Sequence, residues 1–462
     1  MIKARAFAGK HYAVYGLARS GLATVQALLA SGAKVTAWDG KEEARQKLLP
    51  ETGRWQREAL TEGGLSVAPR PLHHPPDGPP PRSGEDLTVA DLDEADLGQF
   101  ATLVVTPGLP LNRHPIAERA RDAQLEIIGD IELFARARPE LPPHKVVGIT
   151  GTNGKSTTTA LIHHILKTAG VPAAMGGNIG LPILAQDPLP DGGVYVLELS
   201  SYQIDLTKSL DCDVAVLLNI TPDHLDRYDS FEAYAASKAR LFEMQTEGHM
   251  GLVGSTTDAA MEYSWNVRHH DRLVIEADAY LDNDGATATG LRGVHNGENV
   301  GIAHNVCFEL GLANEEIWKA AATFPGLPHR MQQVRDKDGV LFVNDSKATN
   351  PTATAPALAA FDSIRWILGG QAKTDSLDEC APHFGNVRCA YTIGEAAALF
   401  ERLLKPHMPV KNCGKLDAAV SAAAADAKAG DIVLLSPACA SFDQYRDFED
   451  RGDQFKGLVG AL

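Results

Sequence analysis

The sequence predicts an α/β fold in three domains: a Rossmann-like N-terminal domain, a central P-loop ATPase-type domain on a mostly parallel sheet, and a C-terminal Rossmann-like α/β domain. Three observations predict it. Short apolar runs of strand length alternate along the chain with helical stretches, the order of a parallel sheet flanked by helices. Two of those runs, at 12–15 and 146–150, lead straight into a glycine-containing turn and then a helix. The length of 462 residues, at about 100–200 residues per domain, leaves room for about three.

In order, residues 12–15 read as a strand and Gly16 to Gly21 as a turn. Ser20 reads as the cap of a helix reaching about Ser31, and residues 34–38 as a second strand ending at Asp39. The spacing Gly16-x-x-x-x-Gly21 is not the dinucleotide fingerprint G-x-G-x-x-G, which argues against a nicotinamide cofactor. The proline-rich tract 69–85, with His73 and His74, reads as an exposed loop or insertion, and nothing near the two histidines completes a metal site. A strand at 102–106 followed by Pro107-Gly108 carries the first domain to about Arg138, so that it spans 1–138. Residues 139–143 read as a linker. Strands at 146–150, 194–198 and 214–219 belong to a central domain, 139–327, which ends in a second linker at 324–328. The third domain, 328–462, carries strands at 340–344, 365–368, 390–393 and 432–435 with alanine-rich helices between them. The sequence has no internal repeat and no coiled-coil heptads.

A net charge of −16 makes a general nucleic-acid or anionic-membrane binder a poor fit. Any phosphate bound must meet positive charge supplied locally by a few placed groups. Six cysteines, none in a C-x-x-C pair, read as reduced thiols. Lys3, Arg5 and Lys10 precede an apolar stretch at 22–30, but Gly16, Arg19, Gly21 and Gln26 interrupt the pattern a signal peptide needs. No run approaches the ~18 apolar residues of a membrane helix. The expectation is a cytoplasmic protein without nucleic-acid or membrane partners.

The strongest motif is Gly151-Thr152-Asn153-Gly154-Lys155-Ser156-Thr157, between a strand and an amphipathic helix read at 158–169. Glycines let successive backbone N–H groups face one centre, and the helix N-terminus adds partial positive charge. Lys155 can reach the β- and γ-phosphates of ATP, and the Ser156 hydroxyl can bind Mg²⁺. The strict pattern G-x-x-x-x-G-K-S/T would need glycine where Ile149 stands, so the loop is a variant.

Further motifs follow in order. Gly176-Gly177-Asn178-Ile179-Gly180 alone reads as a turn. Glu198, opening Glu198-Leu199-Ser200-Ser201-Tyr202-Gln203 at the carboxyl end of a strand, reads as a Mg²⁺ ligand or a helix-capping acid. Asn219-Ile220-Thr221-Pro222-Asp223-His224-Leu225-Asp226-Arg227-Tyr228 follows another strand. Lys238, in Ser237-Lys238-Ala239-Arg240, alone reads as a solvated helix charge. His295-Asn296-Gly297-Glu298-Asn299, Gly326-Leu327-Pro328-His329-Arg330 and Asn344-Asp345-Ser346-Lys347-Ala348-Thr349-Asn350 come next. Gly369-Gly370-Gln371-Ala372-Lys373 and Ser436-Pro437-Ala438-Cys439-Ala440-Ser441-Phe442-Asp443-Gln444 close the series.

In this order the motifs resemble the Mur ligases, which build the peptide stem of peptidoglycan. The resemblance runs from about Gly16 to the C-terminus and is weakest across 39–91. It implies a phosphate loop that departs from the strict pattern in the same way. It implies Asn178 on a UDP-sugar substrate, with Leu17, Ala18, Arg19, Ser20 and Asp39 holding the uridine half. It implies His224 as ligand of a second Mg²⁺, near that substrate, and Lys238 as a carbamate. The metal set is then Ser156, Glu198, His224 and carbamylated Lys238. Asn296 and Asn299 would contact the adenine end of ATP, Arg330 and Lys347 its phosphates, and Asp345 the ribose and γ-phosphate. Thr349, Lys373, Ser441 and Phe448 point to glutamate: a dicarboxylate needs cations and donors at two places.

The reaction implied is ATP-dependent ligation. The carboxylate of UDP-N-acetylmuramoyl-L-alanine attacks the γ-phosphate, and the amine of D-glutamate then attacks the acyl phosphate, with ATP and Mg²⁺ as cofactors. Lys155, His224, Lys238 and Arg330 are the catalytic candidates. Either His224 or the acyl phosphate could take the amine proton, and no residue distinguishes D- from L-glutamate. Acyl phosphates hydrolyse, so the domains are expected to close over the site. A monomer is expected on family grounds. The rivals are a sister Mur ligase, folylpolyglutamate synthase and a non-catalytic nucleotide-binding regulator. The last has no need of Glu198, His224 and Lys238 together.

Overall fold

The computed structural model describes residues 1–48, 86–223, 226–265, 272–275, 291 and 295–462. The proline-rich tract 69–85 and His224 lie outside them. Three sheets carry the fold.

The first sheet is built from β1 (His11–Tyr15), β2 (Lys34–Trp38), β3 (Leu87–Val89), β4 (Thr102–Val105) and β5 (Ile127–Ile128), with α1 (Arg19–Ala30), α2 (Glu42–Gln46), α3 (Pro115–Asp122) and α4 (Asp130–Ala137) between or after them. Its order is β3-β2-β1-β4-β5 and every pair is parallel. The order reverses at β1, so the carboxyl ends of β1 and β4 flank the crevice where ligands of such sheets bind.

The second sheet is built from β6 (His144–Thr150), β7 (Ala173–Gly177), β8 (Gly193–Glu198), β9 (Val214–Leu217), β10 (Met250–Gly254) and β11 (Arg272–Ile275). Its helices are α5 (Lys155–Thr168), α6 (Ser201–Asp205), α7 (Phe231–Glu243), α8 (Asp258–Trp265) and α9 (His295–Glu309). The order is β11-β10-β9-β6-β8-β7, again all parallel. β4 and β9 are buried along their whole length, as strands covered on both faces must be, which is why both read as continuous apolar runs.

After α10 (Asn314–Ala321), the third sheet takes β12 (Gln332–Lys337), β13 (Val340–Asn344), β14 (Ile364–Gly369), β15 (Val387–Ile393), β16 (Val410–Gly414) and β17 (Ile432–Leu435). Its helices are α11 (Pro351–Ala359), α12 (Ala397–Leu404), α13 (Leu416–Asp426) and α14 (Phe448–Ala461). The order is β12-β13-β17-β14-β15-β16, with only the β12–β13 pair antiparallel.

The chain forms two compact units. One takes the first two sheets with Glu298–Ile317, and the other carries Trp318–Leu462. The first two sheets share a unit because one apolar cluster runs through both, from Ile2, Phe7 and Val25 to Leu184, Tyr195 and Phe242. The stretch read as a linker at 139–143 is tied down. It follows a 3₁₀ turn at Arg138–Glu140, and the Glu140 carboxylate accepts from the Arg5 and Ala6 N–H groups at 2.8 and 2.9 Å. In the second unit, separate apolar clusters cover the two faces of the third sheet.

Two helix starts differ from the sequence reading. Ser20 does not cap α1: the helix opens at Arg19 after Ala18, with no side-chain cap, and Ser20 sits in the first turn with its carbonyl accepting from Thr24 Oγ1 at 2.9 Å. The turn is fixed instead by close packing. A Cβ on Gly21 would lie 1.9 Å from the Gly16 carbonyl oxygen, and Gly16 itself has φ 95°. α5 opens at Lys155, not residue 158, because Gly154 at φ 84° turns the chain directly into the helix.

Gly21→Ala must displace backbone, not a flexible side chain tip. We expect a loss of about 1–3 kcal/mol, the ordinary cost of overpacking, read by denaturant unfolding. A variant as stable as the parent would mean that the turn is not packed this way.

Candidate active site

The phosphate loop joins β6 to α5. It is held from three directions. Asn219, just past β9, accepts from the Asn153 N–H through Oδ1 at 2.9 Å and from the Thr152 N–H through its carbonyl at 2.8 Å. Its Nδ2 donates to the Asn153 carbonyl at 3.3 Å and to Glu298 at 3.5 Å. Thr152 Oγ1 accepts from the Thr221 N–H at 3.0 Å and lies 3.0 Å from the Tyr234 hydroxyl. From α9, Asn299 Oδ1 accepts from Thr158 Oγ1 at 3.0 Å, and a Cβ on Gly154 would come within 2.5 Å of that same oxygen. The loop therefore closes over side chains that leave no room for a larger residue at 154. The first turn of α5 carries no acidic residue, so its N–H groups and dipole present positive potential to an anion.

Two lysines converge on one carbonyl. Lys155 Nζ donates to the Gly151 carbonyl at 2.9 Å and to that of Thr152 at 2.8 Å. Lys238 Nζ, from α7, donates to the same Gly151 carbonyl at 2.8 Å and sits 4.7 Å from the centre of the Tyr234 ring. Lys238 is not the solvated helix charge its sequence suggests; it is 2 % exposed. Burial, and then the neighbouring Lys155, push its ammonium well below the usual lysine range, against the pull of Asp223, Asp205 and Glu198.

Glu198 ends β8 in register with Ile149, beside the start of the loop. Oε1 accepts from Asn178 Nδ2 at 2.9 Å, and the Glu198 carbonyl accepts from the Asn178 N–H at 2.8 Å. Oε2 is buried with no hydrogen-bond partner among the described residues. A buried carboxylate oxygen left in this way is what a hard cation completes. The described residues contain no cluster of three or more His, Cys, Asp or Glu that would hold a metal alone. That fits Mg²⁺, which takes one or two carboxylates and fills its remaining positions with hydroxyl, water and phosphate oxygens. Glu198 and the buried Ser156 fit such an ion.

In the N-terminal sheet the turn after β1 is clamped by Asp39. Its Oδ2 accepts from the Leu17 N–H at 2.7 Å and its Oδ1 from the Lys41 N–H at 2.8 Å. Arg19 Nη2 donates to the Gly180 carbonyl at 2.5 Å, so the turn after β1 and the Asn178 loop touch.

In the second unit, Asp345 directly follows β13 and is buried. Oδ2 accepts from Ser436 Oγ at 2.8 Å and Oδ1 from the Met331 N–H at 3.1 Å. Burial pushes its carboxyl up to about 7, against those two donors and Arg330. Arg330 is flanked by two non-glycine residues in the left-handed region, His329 at φ 61° and Met331 at φ 46°. Lys347 Nζ lies 3.9 Å from the centre of the Phe448 ring, so the phosphate candidate and a glutamate candidate are neighbours. Ser441 is buried and Lys373 exposed. Their loops are paired, with Gln371 and Ala440 exchanging backbone hydrogen bonds at 2.9 and 3.0 Å.

The structure thus gathers Gly151, Thr152, Gly154, Lys155, Ser156, Asn178, Glu198, Lys238 and Asn299 in one neighbourhood, and Asp345, Lys347, Ser441 and Phe448 in another. His224 is outside the described residues. Two residues that sequence reasoning gave no role brace the loop, Asn219 and Glu298. Both stood inside quoted motifs, which was the available signal.

Two domain families match the chain: the Mur ligase middle domain over residues 149–303 and the Mur ligase glutamate ligase domain over 329–439. A UDP-N-acetylmuramoylalanine–D-glutamate ligase of Novosphingobium aromaticivorans is 54 % identical over 100 % of this chain and 97 % of its own length. One from Sphingopyxis alaskensis is 53 % identical over 100 % of both. Among solved structures, the MurF ligase of Thermotoga maritima in complex with ADP superposes with a TM-score of 0.59, at 16 % identity, over 98 % of this chain and 96 % of that one.

Asp345 gives a test by pH. An unfolded aspartate ionises near about 3.9, whereas the folded protein holds the proton to about 7. Between those values only the folded state keeps it, so the group's contribution to stability is full at acid pH and falls as pH rises to about 7. Asp345→Asn cannot titrate. It should lose less melting temperature between pH 5 and pH 7 than the parent, and parallel profiles would show that Asp345 is ionised throughout.

Proposed function

The chain belongs to the Mur ligase family, and we propose that it joins D-glutamate to UDP-N-acetylmuramoyl-L-alanine at the expense of ATP. The observation that carries this reading is the convergence of Lys155 and Lys238 on the Gly151 carbonyl, within a phosphate loop beside the unsatisfied oxygen of Glu198. A dehydrogenase or a simple nucleotide sensor has no use for a second buried lysine there. Folylpolyglutamate synthase shares the chemistry, but the full-length similarity is to D-glutamate ligases.

In this reaction the terminal carboxylate of the UDP substrate attacks the γ-phosphorus, ADP departs, and an acyl phosphate forms. The amine of D-glutamate then attacks the acyl carbon, inorganic phosphate leaves, and the amine proton is lost. The chain's task is positioning and charge neutralisation. Lys155 leaves its two loop carbonyls for the phosphate oxygens. The N–H groups at the start of α5 hold the same anion, and Asn219 and Asn299 keep the loop in shape. Arg330 and Lys347 serve the ATP phosphates, and Thr349, Lys373, Ser441 and Phe448 take the amino acid. The turn after β1, from Leu17 to Ser20, takes the uridine half together with Asp39. Ser156 and Glu198 would hold Mg²⁺, which would supply further neutralisation of phosphate charge. The divisions 1–138, 139–327 and 328–462 then correspond to uridine, ATP and glutamate. No helix among the described residues is long and apolar enough to cross a membrane, in keeping with a cytoplasmic enzyme acting on soluble precursors.

Lys238 completes the reading. Carbon dioxide adds only to a neutral amine. Burial and Lys155 favour that form of Lys238 before any metal arrives. The carbamate formed is an anion with two oxygens, which relieves the clash with Lys155 and offers a hard cation the ligand it prefers.

The assay is direct. ADP and phosphate should appear only when UDP-N-acetylmuramoyl-L-alanine and D-glutamate are both present, and Lys155→Ala should lose at least ~10²-fold in turnover, the effect of removing one transition-state donor. Near-normal turnover by that variant would remove the phosphate-loop assignment.

Lys238→Ala should be inactive and partly restored by formate or acetate, which can occupy the place of the carbamate, but not by chloride at equal ionic strength. An active Lys238→Ala enzyme would sink the carbamate.

A further inference from the structure

Arg451 is the largest charged side chain that the fold shuts away from water, at 0 % exposure. It lies on α14, one turn after Phe448. Among the described residues it has no carboxylate partner. Its donors go elsewhere: Nε to Ser346 Oγ at 3.0 Å, Nη2 to the carbonyls of Ser346 at 2.9 Å and Cys439 at 3.1 Å, and Nη1 to those of Gly369 and Ala440, both at 3.4 Å. Ser346 Oγ passes the link on, donating to the Phe448 carbonyl at 2.8 Å.

Those acceptors belong to three loops, each leaving the carboxyl end of one of three adjacent strands: β13, β14 and β17. The same loops carry Lys347, Lys373 and Ser441. A buried cation without an anion is costly, and an apolar side chain of similar volume would ordinarily be the more stable occupant. What the guanidinium does that an apolar group cannot is fix the direction of four peptide planes. In a trans peptide the N–H points opposite to the carbonyl. The Ala440 carbonyl accepts from the Gln371 N–H at 2.9 Å as well as from Arg451 Nη1, and the two together turn the Ser441 N–H the other way. With the Ser346 carbonyl turned onto Arg451, the Lys347 N–H is aimed at the His329 carbonyl, which it meets at 3.0 Å. The fit is close: a Cβ on Gly370 would stand 2.3 Å from the Ala440 carbonyl oxygen and 3.2 Å from Arg451 Nη1.

We propose that Arg451 is a positioning residue for the amino-acid half of the reaction: it locks the loops bearing Lys347, Lys373 and Ser441 into one register and leaves the Ser441 N–H and hydroxyl to receive a carboxylate. The buried positive charge behind that loop favours a dicarboxylate substrate over a neutral one. This rests on the reading that these loops bind glutamate.

The test uses Arg451→Met, which keeps much of the volume, and Arg451→Lys, which keeps the charge but not the fork of donors. The assay is the complete ligation by the full-length enzyme, with Lys373→Ala as the comparator. For Arg451→Met the KM for D-glutamate should rise at least about ten-fold, the scale of losing charge-assisted hydrogen bonds. The KM for UDP-N-acetylmuramoyl-L-alanine should stay within about two-fold, and Arg451→Lys should recover part of the loss. Acyl phosphate trapped by hydroxylamine in the absence of D-glutamate should still form. A folded Arg451→Met enzyme with an unchanged KM for D-glutamate overturns the proposal, as does a variant in which all three substrate KM values move together. Should Arg451→Met fail to fold, Arg451→Lys decides on the same split. If the parent enzyme itself fails to consume D-glutamate, it is the function that has failed, and the positioning role has not been reached.

Discussion

The nucleotide side of the molecule depends on a single carbonyl. Gly151 accepts from two ammonium groups, Lys155 at 2.9 Å and Lys238 at 2.8 Å, in a place where one of them is almost wholly buried. Two like charges sharing one dipole in a medium poorer than water repel strongly. The arrangement is relieved in three ways: one lysine gives up its proton, an anion arrives, or one lysine becomes an anion itself. Burial already drives Lys238 toward the first. A bound triphosphate would supply the second, and the proposed carbamylation of Lys238 the third. A chain of net charge −16 can therefore bind a polyphosphate without any broad basic surface. The positive groups are local: the start of α5 and the two lysine side chains that meet at one carbonyl.

The loop that creates this spot is braced by residues whose work is geometric. Asn219 receives two loop N–H groups and returns one amide hydrogen to the Asn153 carbonyl, so Asn153 cannot turn without breaking two contacts. Glu298 stands behind Asn219 and also accepts from the Thr256 N–H at 3.1 Å. Burial raises its carboxyl above the usual range, against the Thr256 and Asn219 donors that pull it back.

Much of this was legible in the sequence. The parallel sheets announce themselves because strands covered on both faces must be apolar along their whole length, as β4 and β9 are. The phosphate loop was legible because its requirements are local: glycine where φ is positive or space is short, then lysine, then a hydroxyl. What escaped depends on distant residues. Ser20 has the chemistry of a cap, but the close approach of Gly21 to the Gly16 carbonyl starts α1 two residues earlier. Lys238 looks like any lysine in a helix of mixed composition. Only the packing of α7 against the loop buries it and pushes its ammonium well below the usual lysine range. Arg451 needs three loops from three strands to be in place before its role exists. Spacing within a sequence cannot show acceptors that lie 82 and 105 residues away along the chain.

In the second unit the same logic governs Arg330. The two residues beside it hold left-handed backbone without being glycine, and such conformations cost of order 1–3 kcal/mol each. They persist only where surrounding contacts fix them. Asp345 is one such contact, accepting from the Met331 N–H at 3.1 Å. The His329 carbonyl, accepting from the Lys347 N–H, is another. Both come from the loop that follows β13, and Arg451 holds that loop through Ser346. The strained segment bearing Arg330 is thus set by a loop that is itself set by a buried arginine. A substitution on α14 should accordingly be felt at Arg330 through backbone direction alone, with no change in the residues that touch either ligand.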